Sequence, residues 1–435
     1  MKINTILSAA GMALVFAGST AIAQEVKELD LSATTKALDL GTITFPSGHV
    51  MQADYGIGSA AYRRAGDEAG VFYTATDRGP NIKCGDAEKV IKRTLEEACK
   101  GVKAGKIFPL PDFSPSILTF KDNGGKVELL EVLTLKDRDG KPISGRSAPL
   151  KITNTEGAYS KDGRELPFDA EGLDVEGLAR LKDGTFWLSE EYGPSLIHVA
   201  ADGKILKRFV PAGMEADLKD ANYNIIGSLP SILAKRKLNR GAESLAISED
   251  EKHLYFSMQS PLANPNGKAY KTSRNVRLLK VEAESGKAIA EYVYQLDLAD
   301  SFPADNVKKM RKQSDVKISE LTLLSDERFV VLERISKTTK FYAIDLKDGA
   351  TNIIGTEWDK TATSPSLAQT DLSKAEIQPL KKEELLIGEG ATYPKKIEGI
   401  ALFGEKDVLL VNDNDFGIMG APTRAIRVKL DKAWK

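Results

Sequence analysis

The residues best able to do chemistry recur at matching points of a degraded repeat. Five segments open on Ser59, Glu176, Glu243, Glu320 and Glu398. A second strand in each ends near Asp77, Glu190 with Glu191, Gln259, Glu333, or Asp413 with Asp415. Four carboxylates converging on one opening would repel one another and retain protons unless a cation compensates them. A hard cation taking about 6–8 oxygen ligands suits such a ring, so Glu176, Glu243, Glu320 and Glu398 are expected to hold Ca2+. The competing reading has these glutamates capping strand starts through backbone amides of the next repeat. Asp413-Asn-Asp415-Phe-Gly417 looks like half an EF-hand loop, but Arg424 stands where the bidentate glutamate is required.

Arg78 and Arg334 follow two of the strand ends, and Arg240 lies three residues before Glu243. Guanidinium forks match phosphate and carboxylate geometry, so an anionic small molecule is the expected ligand. For any one arginine, a bracing Arg–Glu pair between repeats is an equal alternative. The three histidines, His49, His198 and His253, are scattered, which disfavours transition metals. No Gly-x-Ser-x-Gly elbow, phosphate loop or dinucleotide fingerprint occurs. Ser59 therefore reads as a lining hydroxyl.

For these side chains to meet, the repeats must close on themselves. Each alternates apolar and polar residues over two short strands, as at 176–192 and 243–259. In most repeats a second strand pair follows, at 116–120 with 127–135, 196–199 with 205–210, 276–281 with 288–296, and 341–346 with 351–354. Asn123-Gly124, Asp202-Gly203, Ser285-Gly286 and Asp348-Gly349 join them, turn chemistry that supplies positive φ. Four antiparallel strands per repeat without helical crossovers predict an all-β fold, a β-propeller. Five blades are visible, and a sixth has room between 137 and 175; a β-sandwich is the alternative. The last repeat lacks a strand, which 27–31 or 38–45 would complete. Helical or loop insertions are expected at 86–100, 213–238, 303–314 and 371–387, decorating one face.

First strands leave the ligand face and second strands return to it. The acidic openings and acidic ends therefore gather on one rim.

The 435 residues carry 61 basic and 62 acidic side chains, a balance that excludes a polybasic nucleic-acid surface. Residues 1–23, with Lys2, an apolar run from Ile6 and Ala21-Ile22-Ala23, read as a signal peptide, an uncleaved anchor being the alternative. Residues 24–435 would form one domain, periplasmic or secreted, with no membrane span. In an oxidising compartment Cys84 and Cys99 are expected to form a disulfide.

The string from Asp169-Ala-Glu171 through Glu176-Gly177 to Glu190-Glu191-Tyr192-Gly193-Pro194 resembles the bacterial family called "esterase-like activity of phytase", the phytase-like domain. Thr76-Asp77-Arg78-Gly79-Pro80, Asn239-Arg240-Gly241-Ala242-Glu243, Leu332-Glu333-Arg334 and Ile397-Glu398-Gly399 strengthen the resemblance over about residues 50–420. Ala242 departs from it, since an aromatic is expected there. The resemblance implies an exported propeller hydrolysing phosphoester or ester bonds. Its implied site residues are Asp77, Arg78, Glu176, Glu190, Glu191, Tyr192, Arg240, Glu243, Glu333, Arg334 and Glu398. Metal-assisted hydrolysis follows, with Glu190 or Glu191 as general base beside Asp77, and Arg78, Arg240 and Arg334 neutralising developing charge. The alternative is a non-catalytic ligand- or protein-binding propeller of the cell envelope.

Overall fold

Each of the five repeats folds as an antiparallel meander in the computed structural model, which describes residues 25–434. The expected signal peptide lies outside the described residues. Sheet 1 runs Ala60–Tyr62, Val71–Ala75, Ser116–Asp122 and Val127–Thr134. Sheet 2 runs Val175–Arg180, Phe186–Glu190, Ser195–Val199 and Ile205–Pro211, then adds Asn224–Leu229 parallel to its edge. Sheet 3 runs Ala242–Ile247, His253–Met258, Asn275–Glu282 and Ala288–Gln295. Sheet 4 runs Lys317–Ser325, Arg328–Arg334, Thr339–Asp345 and Glu383–Gly388. Sheet 5 runs Ile397–Gly404, Asp407–Asn412 and Ala425–Lys429, and Glu25–Glu28 supplies its fourth strand.

The first strands neighbour one another in the order 1, 2, 3, 4, 5 and back to 1, giving a propeller-like arrangement. The core lies between the sheets. Tyr73 meets Phe186 between sheets 1 and 2, ring centres 5.9 Å apart, and Tyr255 meets Phe329 between sheets 3 and 4 at 4.7 Å. Phe72 and Phe120 of sheet 1 pack with Leu409 and Val411 of sheet 5, closing the cycle. The Glu-Gly signature has a packing cause: a Cβ on Gly177 would stand 2.8 Å from the Leu245 amide nitrogen of sheet 3.

Two expectations need correction. The 137–175 stretch builds no sixth blade-like meander. Its strands Gly157–Ser160 and Glu165–Leu166 join Ile82–Lys83 and Gly105–Phe108 in a small accessory sheet. Helices Ala87–Ile91 and Leu95–Cys99 cover that sheet, and the Cys84–Cys99 disulfide ties it, Cα atoms 6.0 Å apart. Residues 38–45 likewise go elsewhere, the Asp39–Thr44 strand pairing with Val50–Asp54. The second correction is 351–354, which is no strand. After Gly349 the chain crosses to sheet 3, where Ile353 donates to the Glu291 carbonyl and Leu380 to the Val293 carbonyl, both at 2.8 Å. That insertion covers an edge strand that would otherwise stay open, and sheet 4 takes Glu383–Gly388 instead.

Candidate functional site

First strands begin, and second strands end, around a cavity of about 460 Å³ at one end of the ring. Nine carboxylates and seven cationic side chains line it. A second cavity of about 730 Å³ opens where the same first strands end, walled by residues such as Tyr62, Ile247, Leu323, Phe403 and Trp434.

The acidic focus sits at the seam of sheets 1 and 2. Asp77 follows the second strand of sheet 1, Asp174 precedes the first strand of sheet 2, and Glu176 lies within it. One oxygen from each of the three lies within 4.8 Å of the others. Burial, then the neighbouring Asp174 and Asp413, hold the Asp77 carboxyl well above its usual range. Burial, then Glu243 and Asp174, do the same to Glu176. Asp174 is also raised by burial, against the pull of Arg78 and Lys106. Its Oδ2 accepts no hydrogen bond and lies 3.5 Å from Arg78 Nη1. Three oxygens so placed fit one hard cation, because two oxygens about 2.4 Å from a shared ion stand no more than about 4.8 Å apart.

Glu191 faces the same cavity. The Asn239 amide donates to its Oε2, Oε1 is buried without a partner, and burial with Glu243 and Asp174 holds the group well above its normal range. Gly241 allows the approach, since a Cβ there would lie 2.0 Å from the Glu191 carbonyl oxygen. Around the other walls, Gln259 bridges Arg240 to Glu243. Lys317 Nζ lies 3.9 Å from Glu398 and is pushed down to about 7 by burial, then by Arg334 and Arg240. Lys396 pairs with Asp413 at 3.4 Å and with Asp415.

Asp77, Arg78, Glu176, Glu191, Arg240, Glu243 and Glu398 thus share one cavity. Arg78, however, is fully committed within the wall. It donates to Gly145 O at 3.1 Å and Glu156 at 3.0 Å, and its guanidinium lies over Tyr192 at 4.7 Å.

Five expected residues are placed elsewhere. Glu320 turns to backbone, accepting from the Leu321 amide at 2.8 Å and the Leu245 amide at 3.3 Å, so it ties sheet 4 to sheet 3. Glu190 accepts from the amides of Asp174, Tyr192 and Gly193 and pairs with Arg208 at 3.1 Å, both side chains fully buried. Tyr192 is buried as well, its hydroxyl bound by the Glu156 amide at 2.8 Å. Arg334 pairs with Glu398 and donates to Ser319 at 2.7 Å beneath the cavity. Glu333 accepts from Tyr294 at 2.7 Å and from Lys382 at 2.7 Å, away from the opening.

Sequence reading missed Asp174, Glu156, Lys106, Lys317 and Lys396, all in the wall. A signal existed for three of them. Residues two or three before the repeat glutamates are Asp174, Arg240, Lys317 and Lys396, and a two-residue step returns a strand side chain to the same face.

Comparison with known proteins places this geometry in context. An uncharacterized secreted protein of Arthroderma benhamiae is 28% identical over 237 residues, spanning 48% of this chain and about half (46%) of that protein. Virginiamycin B lyase from Staphylococcus aureus is similar over 94% of this chain and 100% of its own, at 13% identity and a TM-score of 0.33. The periplasmic gluconolactonase PpgL of Pseudomonas aeruginosa is similar over 90% of each chain, at 10% identity and a TM-score of 0.33. Regucalcin from Agrobacterium tumefaciens, a calcium-binding protein, covers 87% of this chain and 93% of its own at 11% identity and a TM-score of 0.33. Among the described residues, no helix is long and apolar enough to cross a membrane. The phytase-like family described as esterase-like activity of phytase matches residues 55–416, from the edge of the first repeat to the last acidic turn, and the chain belongs to that family.

Proposed function

We propose that this protein is an exported, Ca2+-dependent hydrolase of phosphoester or ester substrates, built as a five-bladed propeller of one domain over residues 24–435. The ring is supported by the cyclic order of the five first strands, and export to the periplasm or beyond by the disulfide and leader pattern. The observation that carries the catalytic reading is the tripod of Asp77, Asp174 and Glu176, whose oxygens lie within 4.8 Å of one another. On this reading the cation sits at one seam, on Asp77, Asp174 and Glu176, in place of a ring of four glutamates.

Ca2+ held there would supply Lewis-acid polarisation of a phosphoryl or acyl oxygen. Arg240 and Lys317 line the cavity with donors to spare for an anionic substrate. Glu191, with one oxygen unpartnered and its pKa raised by burial and by Glu243, is the general base that takes a proton from the attacking water. Arg78 and Tyr192 position the acidic seam from behind.

Turnover of p-nitrophenyl phosphate, p-nitrophenyl acetate and phytate, each with Ca2+ or chelator, tests the reading. Ca2+-dependent turnover that Asp174→Asn abolishes is expected. Retention of an anionic ligand without turnover of any of the three would make the protein a binding module instead.

A further inference from the structure

Away from both cavities, residues 307–312 read Val-Lys-Lys-Met-Arg-Lys, with no acidic residue between 306 and 314. Val307 is 78% exposed and Met310 is 64% exposed, the two most exposed large apolar side chains described. Lys308 and Lys309 stand between them in solvent, with no hydrogen bond or ion pair among the described residues. The base of this loop, by contrast, is firmly tied. Asn306 donates to the carbonyls of Ala299 at 2.7 Å and Phe302 at 3.0 Å and accepts from the Arg311 amide at 2.7 Å. Arg311 is held by Ser336 at 3.0 Å and Asp305 at 3.6 Å. Leu298, on the same insertion, is 52% exposed, with Asp300 the exposed acid beside it.

The loop rises at the cavity end of sheet 4. Lys317, which begins the first strand of that sheet, lines the cavity. Asp305 accepts from the amides of Ser336, Lys337 and Thr338, the turn just beyond the second strand. A braced tip carrying two apolar side chains flanked by unpaired lysines matches a lipid headgroup boundary. The apolar groups enter the acyl edge and the ammonium groups meet anionic phosphates. We propose that residues 307–312 form an interfacial anchor that docks the cavity-bearing end of the protein on an anionic lipid surface.

Co-sedimentation of the chain from Gln24 onward with phosphatidylglycerol-containing vesicles tests this, with phosphatidylcholine vesicles as reference. Preferential binding to the anionic vesicles is expected. Lys308→Gln with Lys309→Gln should weaken it about 30-fold, and Val307→Ser with Met310→Ser at least about tenfold. Melting temperatures should stay at the wild-type value, because the four side chains are exposed. Absence of binding to phosphatidylglycerol vesicles would overturn the proposal. Binding that survives Val307→Ser with Met310→Ser would reduce the loop to a general cationic patch and overturn the anchor equally.

Discussion

Asp77 and Glu176 face each other across the seam of sheets 1 and 2, each with an oxygen within 4.8 Å of the other's and of Asp174's. They come from different repeats, and burial raises the pKa of both. Without a cation the seam is a site of stored repulsion; with one it becomes a three-oxygen ligand set.

Neutralising one member separates these states. Asp174→Asn should lower Ca2+ affinity by at least about 100-fold, since unit charges about 4 Å apart interact by ~4 kcal/mol near a protein surface. In chelator Glu176→Gln should melt higher than wild type, because every charge that shifts Glu176, with Glu243 and Asp174 foremost, is a like charge. Calorimetric titration and thermal melts read the two effects, and a lower melting point in chelator would contradict the assignment.

The metal-free protein should lose stability as pH rises from about 4.5 to 7. Carboxyls raised in the folded state bind more protons there than in the unfolded chain, so their contribution is complete below the unfolded pKa and lost through the folded one. Glu190, pushed up to about 7 by burial, titrates at the end of that range, and Glu291, pushed up to about 8 by burial, continues the slope beyond it. His198, stacked on Trp187 and pushed down to about 4 by burial, slopes the other way up to about pH 6.5. The diagnostic is therefore the difference between wild type and Glu176→Gln, which should be the less pH-sensitive of the two in denaturant melts.

Adjacent glutamates should behave unlike each other. Glu190→Gln leaves buried Arg208 without its charge partner and should cost about 3–5 kcal/mol of stability. Glu191→Gln should leave the melting point near wild type and reduce turnover by about 100-fold or more. Equal thermal losses in both would remove Glu191 from the base role.

Replacing Cys84 and Cys99 by serine opens a loop of 15 residues and should cost roughly 3 kcal/mol. The loss should concentrate in the accessory sheet, where Lys83 and Lys106 reach the cavity wall. Hydrogen exchange of residues 82–108 would show it, and unchanged protection there would refute the local effect.

Much of this architecture was legible because its signals are local. Asn123-Gly124 and Asp202-Gly203 announce hairpins, and strand alternation then assigns faces. Topology brought Asp77, Glu176, Glu191, Glu243 and Glu398 to one opening. The same reasoning failed for Glu190 and Glu320, because both carboxylates bind backbone amides and no side-chain pattern encodes an amide partner. Lys317 and Lys396 were missed since a lone lysine at a strand start resembles any solvated charge. The outer strand of sheet 4 was misplaced because Asp348-Gly349, although a valid turn, sends the chain to sheet 3.

The strand at Glu25–Glu28 pairs along Ala425–Lys429, so two stretches far apart in the chain must meet before sheet 5 is whole. A chain still being synthesised can hold only an open arc, however well its individual sheets have formed. Sheet 5 gains its fourth strand only when Glu25–Glu28 and Ala425–Lys429 have found each other.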